Sequence, residues 1–147
     1  MLNNPQRALL AVLQDKSRAK ILYTLNDFPS HPDVLVAAIG VSRTAIEKHL
    51  KQLLAFGLLE RRTQTVPRLR YVYSLTIAGQ NLVDAISIAT DQFIDFTKTT
   101  WEEQLTKIEQ AFLFNVIPKD EYEQIRTDLQ EKISKLVDSD DTSNTEK

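Results

Sequence analysis

The sequence predicts a mainly α-helical chain that contains one small β-hairpin and ends in long helices. Apolar residues recur three and four positions apart over most of the 147 residues, which is the spacing of amphipathic helices. A strand-like alternation of apolar and polar residues occurs in a short stretch that ends at Leu75. Two of the three glycines, Gly40 and Gly57, separate consecutive periodic segments.

Composition narrows the classes of function. Hydrophobic residues make up 42% of the chain and charged residues 26%, the ordinary proportions of a globular protein. Because there are no cysteines, disulfides, thiolate metal sites and cysteine nucleophiles are excluded. No apolar run reaches the roughly 18 residues of a membrane span, and residues 1–5 lack the features of a signal peptide, so we expect a cytoplasmic protein. Without a glycine-rich phosphate loop or a nucleophile elbow, neither an enzymatic activity nor a cofactor is expected.

Charge is divided unevenly along the chain. Residues 1–80 hold 11 Lys and Arg against 5 Asp and Glu, a balance of +6, whereas residues 81–147 hold 7 against 15, a balance of −8. A basic front half is typical of a surface that meets a polyanion. Chance segregation of surface charge can give the same asymmetry. Sequence motifs are therefore needed to distinguish a surface that binds a polyanion from an ordinary charged surface.

Residues 1–40 are predicted to form helices that are separated near Asp15 and by the two prolines of residues 27–32, and that end at Gly40. Residues 5–26 predict an amphipathic helix, within which Asp15 or Ser17 could cap a second helix and introduce a bend. Residues 27–32 contain two prolines and predict a loop, from which Ser30 is expected to cap a short helix. Gly40 is expected to end that helix because glycine adopts the left-handed conformation freely.

The most informative segment follows Gly40. Ser42 is expected to cap a helix that runs to Gly57, with its apolar residues on one face. The opposite face carries Arg43, Thr44, Glu47, Lys48 and Lys51. His49 is expected to be partly buried or to contact phosphate rather than to bind a metal. Two helices joined by a tight glycine turn cross steeply, so the second projects its polar face away from the core.

Residues 58–75 predict a β-hairpin with a basic rim, turning near Pro67. Its arginines are Arg61, Arg62, Arg68 and Arg70. Since successive side chains of a strand point to opposite faces, the arginines cannot all lie on one side, and Arg68 near the tip is the strongest candidate for a contact. Tyr71 and Tyr73 are expected to pack in the core or across the strands rather than to stack on bases.

Helix, short helix, glycine turn, helix and hairpin is the order of a winged helix-turn-helix fold. In that fold the second helix enters the major groove, about 12 Å wide, with its N-terminal residues nearest the bases. A solvated helix surface would also be polar, but it would not lie between a glycine turn and a basic hairpin.

We therefore expect contacts to double-stranded DNA from this helix and from the hairpin. Arg43 and Thr44 are placed for base edges, and Lys48 and Lys51 for phosphates or bases. Glu47 can accept from cytosine or pair with Lys51, and the pairing is expected. The hairpin arginines are expected on the backbone or in the minor groove. The full predicted set is Ser42, Arg43, Thr44, Glu47, Lys48, Lys51, Arg61, Arg62, Arg68 and Arg70.

Residues 41–60, VSRTAIEKHLKQLLAFGLLE, resemble the recognition-helix signature of ArsR-type transcription regulators. Residues 15–22 resemble the opening helix of the same family, and residues 73–79, YSLTIAG, resemble the Leu-Thr-x-x-Gly that closes the wing in MarR-type regulators. The resemblance covers roughly residues 9–83 and implies a homodimeric regulator with recognition helix and wing on DNA. The metal-binding cysteines of many ArsR-type proteins are absent, and a minimal member lacks a helical second half of this length.

A long apolar stripe follows the hairpin. Apolar residues recur at helical spacing over residues 82–112, and a last helix is expected at residues 119–137. Three interpretations of the stripe are open: a dimerisation helix, packing against the first helix of the same chain, or the wall of an apolar effector pocket. One small domain cannot cover so long a stripe, so a second copy is the expected partner. The predicted dimerisation residues are Leu9, Leu13, Leu82, Ile86, Phe93, Phe96, Trp101 and Leu105.

The sequence thus predicts a dimeric regulator that binds specific DNA sequences. Residues 1–80 form the DNA-binding domain, residues 81–137 a helical dimerisation region, and residues 138–147 an acidic tail expected to be disordered. The alternative is a winged-helix module that docks other proteins within a larger assembly. That alternative predicts a different protein as partner and no salt-sensitive binding of any duplex.

Overall fold

The computed structural model describes residues 1–141, and these form six helices and two strands. In chain order they are α1 (Asn4–Leu13), α2 (Lys16–Asp27), α3 (Pro32–Ile39), α4 (Arg43–Ala55), β1 (Leu59–Gln64), β2 (Arg70–Leu75), α5 (Ile77–Leu113) and α6 (Lys119–Asp141). The predicted fold class, mainly helical with a small β-hairpin, is confirmed. The chain divides into two compact units, residues 1–87 and residues 88–147, so α5 contributes to both. No described helix is long and apolar enough to cross a membrane.

The predicted bend near Asp15 is a break between α1 and α2. Asp15 Oδ1 accepts hydrogen bonds from the backbone N–H groups of Ser17 at 2.9 Å and Arg18 at 3.1 Å, so it caps α2. Arg18 also joins α2 to α4, because its Nη1 donates to Gln52 Oε1 at 2.6 Å. The start of α2 is therefore determined by a local interaction, the cap that Asp15 forms.

The start of α3 differs from the prediction. His31 caps the helix, its Nδ1 accepting from the backbone N–H of Asp33 at 3.1 Å, whereas Ser30 was expected in that role. Pro32 occupies the first helical position, so the extended residue directly before it becomes the cap. Ser30 is buried and exchanges two backbone hydrogen bonds of 2.9 Å with Tyr73 of β2.

The joint between α3 and α4 follows the prediction. Gly40 has a φ of 78°, the left-handed conformation that glycine adopts without strain. Ser42 Oγ accepts a backbone hydrogen bond of 3.2 Å in the first turn of α4. The opposite side of α4 is anchored by Ile46, Leu50 and Leu53, which are 0–1% exposed. The polar side of α4 consequently faces solvent.

One apolar cluster holds the first unit together. It is formed by Ile21, Leu22, Leu25, Leu35, Ile46, Leu50, Leu53, Leu58, Leu59, Tyr73 and Val83. Burying a side chain of this kind contributes about 1.5–3 kcal/mol relative to leaving it exposed. Because α2, α3, α4, the hairpin and the start of α5 all contribute, the cluster fixes the positions of α4 and the hairpin together.

The hairpin is antiparallel, with Leu59 opposite Leu75 at its base and Gln64 opposite Arg70 at its outer end. The sequence predicts strands at residues 58–63 and 69–75; each observed strand begins one residue later, since Leu58 and Leu69 lie outside the ladder.

The second unit contains the end of α5 and all of α6. Phe112 and Tyr122 stack with ring centroids 4.3 Å apart, and the ammonium of Lys132 lies 5.9 Å from the ring centre of Trp101. These two contacts make the helices antiparallel neighbours. Among residues 88–138, Leu129 alone is buried.

The boundary of the predicted acidic tail lies within α6. The helix continues to Asp141, beyond the expected end at residue 137, and the hydroxyl of Ser134 donates to Asp138 Oδ2 at 3.3 Å. This i,i+4 hydrogen bond spans the predicted boundary at residue 137. The rest of the predicted tail, residues 142–147, lies outside the described residues.

The start of α5 lies against the turn that precedes β1. Thr76 N donates to the carbonyl of Leu58 at 3.0 Å, and Thr76 Oγ1 donates to the carbonyl of Gly57 at 2.7 Å. A Cβ placed on Gly79 would lie 2.2 Å from the carbonyl oxygen of Leu58. The absence of a side chain at residue 79 is therefore what allows α5 to pack this closely.

We expect Gly79→Ala to lower the free energy of unfolding by about 1–3 kcal/mol, because overpacking against a backbone carbonyl outweighs the higher helix propensity of alanine. Urea unfolding followed by circular dichroism measures the change. The control is Ala78→Gly at the exposed neighbouring position, which should cost no more than about 1 kcal/mol. A Gly79→Ala variant as stable as the unaltered chain would contradict this account of the close approach.

Candidate nucleic-acid interface

The exposed face of α4 carries the predicted contact residues of the helix. Arg43, Thr44, Glu47, Lys48 and Lys51 are all exposed, at spacings that follow the helix surface turn by turn. Ser42 lies at the same end but caps the helix through its hydroxyl. The face therefore offers three cations, one carboxylate and one hydroxyl to an approaching ligand.

Arg43 is held by two carboxylates. Its Nε donates to Glu47 Oε1 at 2.9 Å, and its Nη1 pairs with Asp33 Oδ1 of α3. The predicted pairing of Glu47 with Lys51 is wrong, since Glu47 is paired one turn earlier. The planar guanidinium presents several donors in a fixed geometry, which lets one side chain join two carboxylates.

Two hairpin arginines are engaged by neighbouring side chains on or beside β1. The guanidinium carbon of Arg61 lies 4.4 Å from the ring centre of Tyr71, a cation–π contact. Arg62 Nη2 donates to Glu60 Oε1 at 2.6 Å. Tyr71 thus packs against Arg61, whereas Tyr73 is buried in the core, so both tyrosines pack as expected.

The other two hairpin arginines flank the turn. Arg70 is half-buried, and its Nε donates to Gln64 Oε1 at 2.7 Å across the end of the strands. Arg68 is exposed near the tip and has no ion-pair partner within residues 1–141. Arg68 is therefore the hairpin cation best placed to meet an external anion.

A cleft of about 370 Å³ separates α4 from the hairpin. Arg43, Glu47 and Lys51 line it from α4. Arg61 and Tyr71 line it from the hairpin. Three cations and one carboxylate thus face a common space, which favours an anionic ligand.

His49 lies on the side of α4 that faces α2. Its side chain is 14% exposed, and its Nε2 lies 3.9 Å from Asp15 Oδ1, so of the two expected roles the structure shows partial burial. The pKa of Asp15 is lowered, mainly by the backbone hydrogen bond from Arg18 and also by the charge of His49. Within residues 1–141 there is no cluster of three His, Asp or Glu residues that could hold a metal ion.

The predicted dimerisation residues of the first unit have partners in their own chain. Leu9, Leu13 and Leu82 pack partly buried against the apolar cluster. Ile86 is half-buried and lines, with Leu13 and Leu22, a small apolar cleft of about 120 Å³. These positions contribute to the core of the first unit whatever else they contact.

The predicted dimerisation residues of the second unit differ in exposure. Trp101 and Leu105 are half-buried, Trp101 beside Lys132 of α6. Phe93 and Phe96 are 65% and 75% exposed. The two phenylalanines therefore form the part of the predicted stripe that is left open within the second unit.

The sequence missed two participants of the site. The pairing of Asp33 with Arg43 depends on how α3 crosses α4, which sequence spacing does not report. Tyr71 was expected to pack, but its partner Arg61 follows from the strand register rather than from sequence spacing. The alternating pattern in β2 was the available signal for Tyr71; no local signal marks the contact between Asp33 and Arg43.

Comparison with solved structures finds transcription regulators. The chain is similar to the transcriptional regulator YodB from B. subtilis, with 22% identity and a TM-score of 0.54 over 63% of this chain and 95% of that one. It is similar to the homodimeric winged helix-turn-helix DNA-binding domain of Mb0332 from Mycobacterium bovis, with 20% identity and a TM-score of 0.53 over 65% and 93%.

A third similar structure is a protein from Enterococcus faecalis V583 ascribed to the MarR family of transcriptional regulators, with 21% identity and a TM-score of 0.56 over 68% of this chain and 94% of that one. No family model and no curated protein sequence matches the chain. At this level of identity the likeness is one of fold. The chain is a winged helix-turn-helix protein, as its element order, glycine turn and basic hairpin predict.

Proposed function

We propose that the chain is a transcription regulator that binds specific sequences of double-stranded DNA as a dimer. The observation that carries the proposal is the cleft between α4 and the hairpin, which cations line from both sides. The ArsR-type signature over residues 41–60 and the MarR-type wing end support a regulator of this kind, and the lack of cysteines excludes metal sensing through thiolates.

In this proposal α4 is the recognition helix. Its 13 residues make a helix about 20 Å long, and the diameter of such a helix with its side chains, about 10–12 Å, fits a major groove about 12 Å wide. Arg43 and Thr44, at the N-terminal end, are the proposed contacts to base edges. Lys48 and Lys51, farther along the exposed face, are the proposed contacts to phosphates or bases.

The hairpin is the proposed wing. Arg68 at the tip is unpaired within the described residues, so it can neutralise a phosphate without first giving up an internal contact. The other three arginines, Arg61, Arg62 and Arg70, each contact a neighbouring side chain. On binding, each would replace that contact with one to DNA or make both contacts at once. This arrangement favours contact with the backbone or the minor groove over reading of base edges in the major groove.

Net charge supports the assignment of separate roles to the two parts of the chain. We assign DNA binding to residues 1–80, whose balance is +6, and dimerisation to residues 81–137 within an acidic remainder. A polyanion attracts the first part and repels the second, which favours one orientation of the protein on the duplex. Affinity should fall steeply with salt, because each neutralised phosphate releases counterions.

A second copy of the chain is the proposed partner of the open apolar residues of α5. Phe93 and Phe96 are mostly exposed, and large exposed aromatic patches mark interaction sites. The similar domain from M. bovis is homodimeric. Two copies related by a twofold axis would present their recognition helices to half-sites about 34 Å apart.

The experiment that tests the proposal is selection of bound sequences from a random duplex pool, followed by titration of the enriched duplex at several salt concentrations. We expect a pseudo-palindromic sequence and a strong loss of affinity as salt rises. Failure to enrich any sequence, together with no salt-sensitive shift, would contradict it. Co-purification of a different protein on the helical region would then favour the docking module.

Arg43→Gln and Arg68→Gln should have different effects on the enriched duplex. Loss of Arg43 is expected to relax preference at one base position at a cost of about 1–3 kcal/mol, because it removes a base contact. Loss of Arg68 is expected to weaken all duplexes alike and to reduce the salt slope by about 1, because it removes a phosphate contact. Binding curves on single-position variants measure both. Unchanged binding in both variants would mean that another face meets DNA.

Introduction of charge at the open phenylalanines should separate the dimer. We expect Phe93→Asp combined with Phe96→Asp to give monomers in sedimentation velocity, because carboxylates buried in an apolar interface lose their hydration. Thr106→Asp, on an exposed position of the same helix, is the control and should remain dimeric. A double variant that sediments as a dimer would place the interface elsewhere.

A further inference from the structure

A carboxylate outside the predicted contact set fixes the first arginine of the recognition helix. Asp33 lies in the first turn of α3 and pairs with Arg43 Nη1 at the start of α4. Glu47 accepts from Arg43 Nε on the other side of the same guanidinium. The side chain proposed to read a base is thus held from two different helices before any ligand arrives.

The backbone at Asp33 is itself held in place. His31 Nδ1 accepts the backbone N–H of Asp33, and Pro32 fixes the backbone between them. The negative side chain of Asp33 lies near the N-terminus of α3, where the helix dipole interacts favourably with it. Arg43 therefore pairs with a carboxylate that is fixed to the scaffold rather than carried on a mobile loop.

The ion pair between Asp33 and Arg43 contributes little to the stability of the folded chain. The side chains of Asp33 and Arg43 are 67% and 44% exposed, and exposed ion pairs add little to folding. Binding gives a better reason for the pair. An arginine side chain has many rotamers, and ordering it on a ligand costs entropy unless it is already ordered.

Charge leads to the same conclusion. Asp33 and Glu47 are carboxylates on the surface proposed to meet DNA, and an unpaired carboxylate there would repel phosphates. Arg43 lies between them and offsets one of the two negative charges, while it screens both from an approaching phosphate. A guanidinium that leaves this position exposes both carboxylates to the duplex, so the placement of Arg43 between them is the favoured one for close binding.

We propose that Asp33 is a positioning residue that sets the base preference of Arg43. Asp33 does not contact the base; it restricts the guanidinium to one placement, so that a duplex with the matching acceptor is bound and other duplexes are penalised. The inference rests on the proposed function, because it requires α4 to lie in the major groove.

The test compares Asp33→Asn with the unaltered chain on the enriched duplex and on its single-position variants. The base pair read by Arg43 is the one at which Arg43→Gln loses discrimination. A bidentate arginine contact discriminates roughly 5- to 150-fold. We expect Asp33→Asn to reduce that ratio at least threefold at this base pair alone, while affinity for the mismatched duplexes rises.

Three further variants separate positioning from a simple change of charge. Glu60→Gln, which removes a carboxylate paired with Arg62 on the hairpin, should strengthen binding to all duplexes and leave their ratios unchanged. Asp33→Glu should restore part of the discrimination, because it keeps the charge. Asp33→Asn added to Arg43→Gln should have no further effect on the ratio, since Asp33 acts through Arg43.

Two results would overturn the inference, and they differ. If Asp33→Asn discriminates at that base pair as well as the unaltered chain does, the positioning role is wrong while DNA binding stands. If the unaltered chain binds no duplex in a salt-sensitive manner, the proposed function fails and the inference fails with it. Circular dichroism melts of each variant confirm that the compared proteins are folded.

Discussion

The burial of one side of α4 is the constraint on which the candidate interface depends. Ile46, Leu50 and Leu53 are inserted in the apolar cluster, and rotation of the helix about its axis would bring them into water at about 1.5–3 kcal/mol each. Gly40 fixes the angle at which the helix leaves α3. The direction of the polar face is thus a result of packing on the opposite side of the helix.

Local chemistry made most of the fold predictable. Ser42 caps the start of α4 through its hydroxyl, and Gly40, which lacks a side chain, ends α3 in the left-handed conformation, both as predicted. The hairpin follows from alternation in residues 69–75. The cap of α3 was predicted one residue too early because the pairing of Ser30 with Tyr73 joins residues that are distant in sequence, and no short-range pattern reports such a pair.

The site was predictable by position but not by pairing. Helical spacing identifies which residues share the exposed face of α4, and the structure agrees. It does not identify the partners of Arg43, because Asp33 belongs to another helix and approaches only through the crossing of α3 and α4. The long-range approach of Gly79 to Leu58 was missed for the same reason. The contacts of Asp33 with Arg43 and of Gly79 with Leu58 each join two different elements, whereas sequence periodicity describes one element at a time.

The bridge between Ser30 and Tyr73 gives the hairpin a mechanical connection to the helix pair. β2 is bonded along one edge by β1 and, at Tyr73, along the other edge by the segment that leads into α3. A displacement of the hairpin would therefore also displace Ser30, which lies three residues before Asp33. In the proposed complex, a deformation of the duplex at the hairpin would therefore reach Arg43 through the bridge at Ser30 and the ion pair with Asp33.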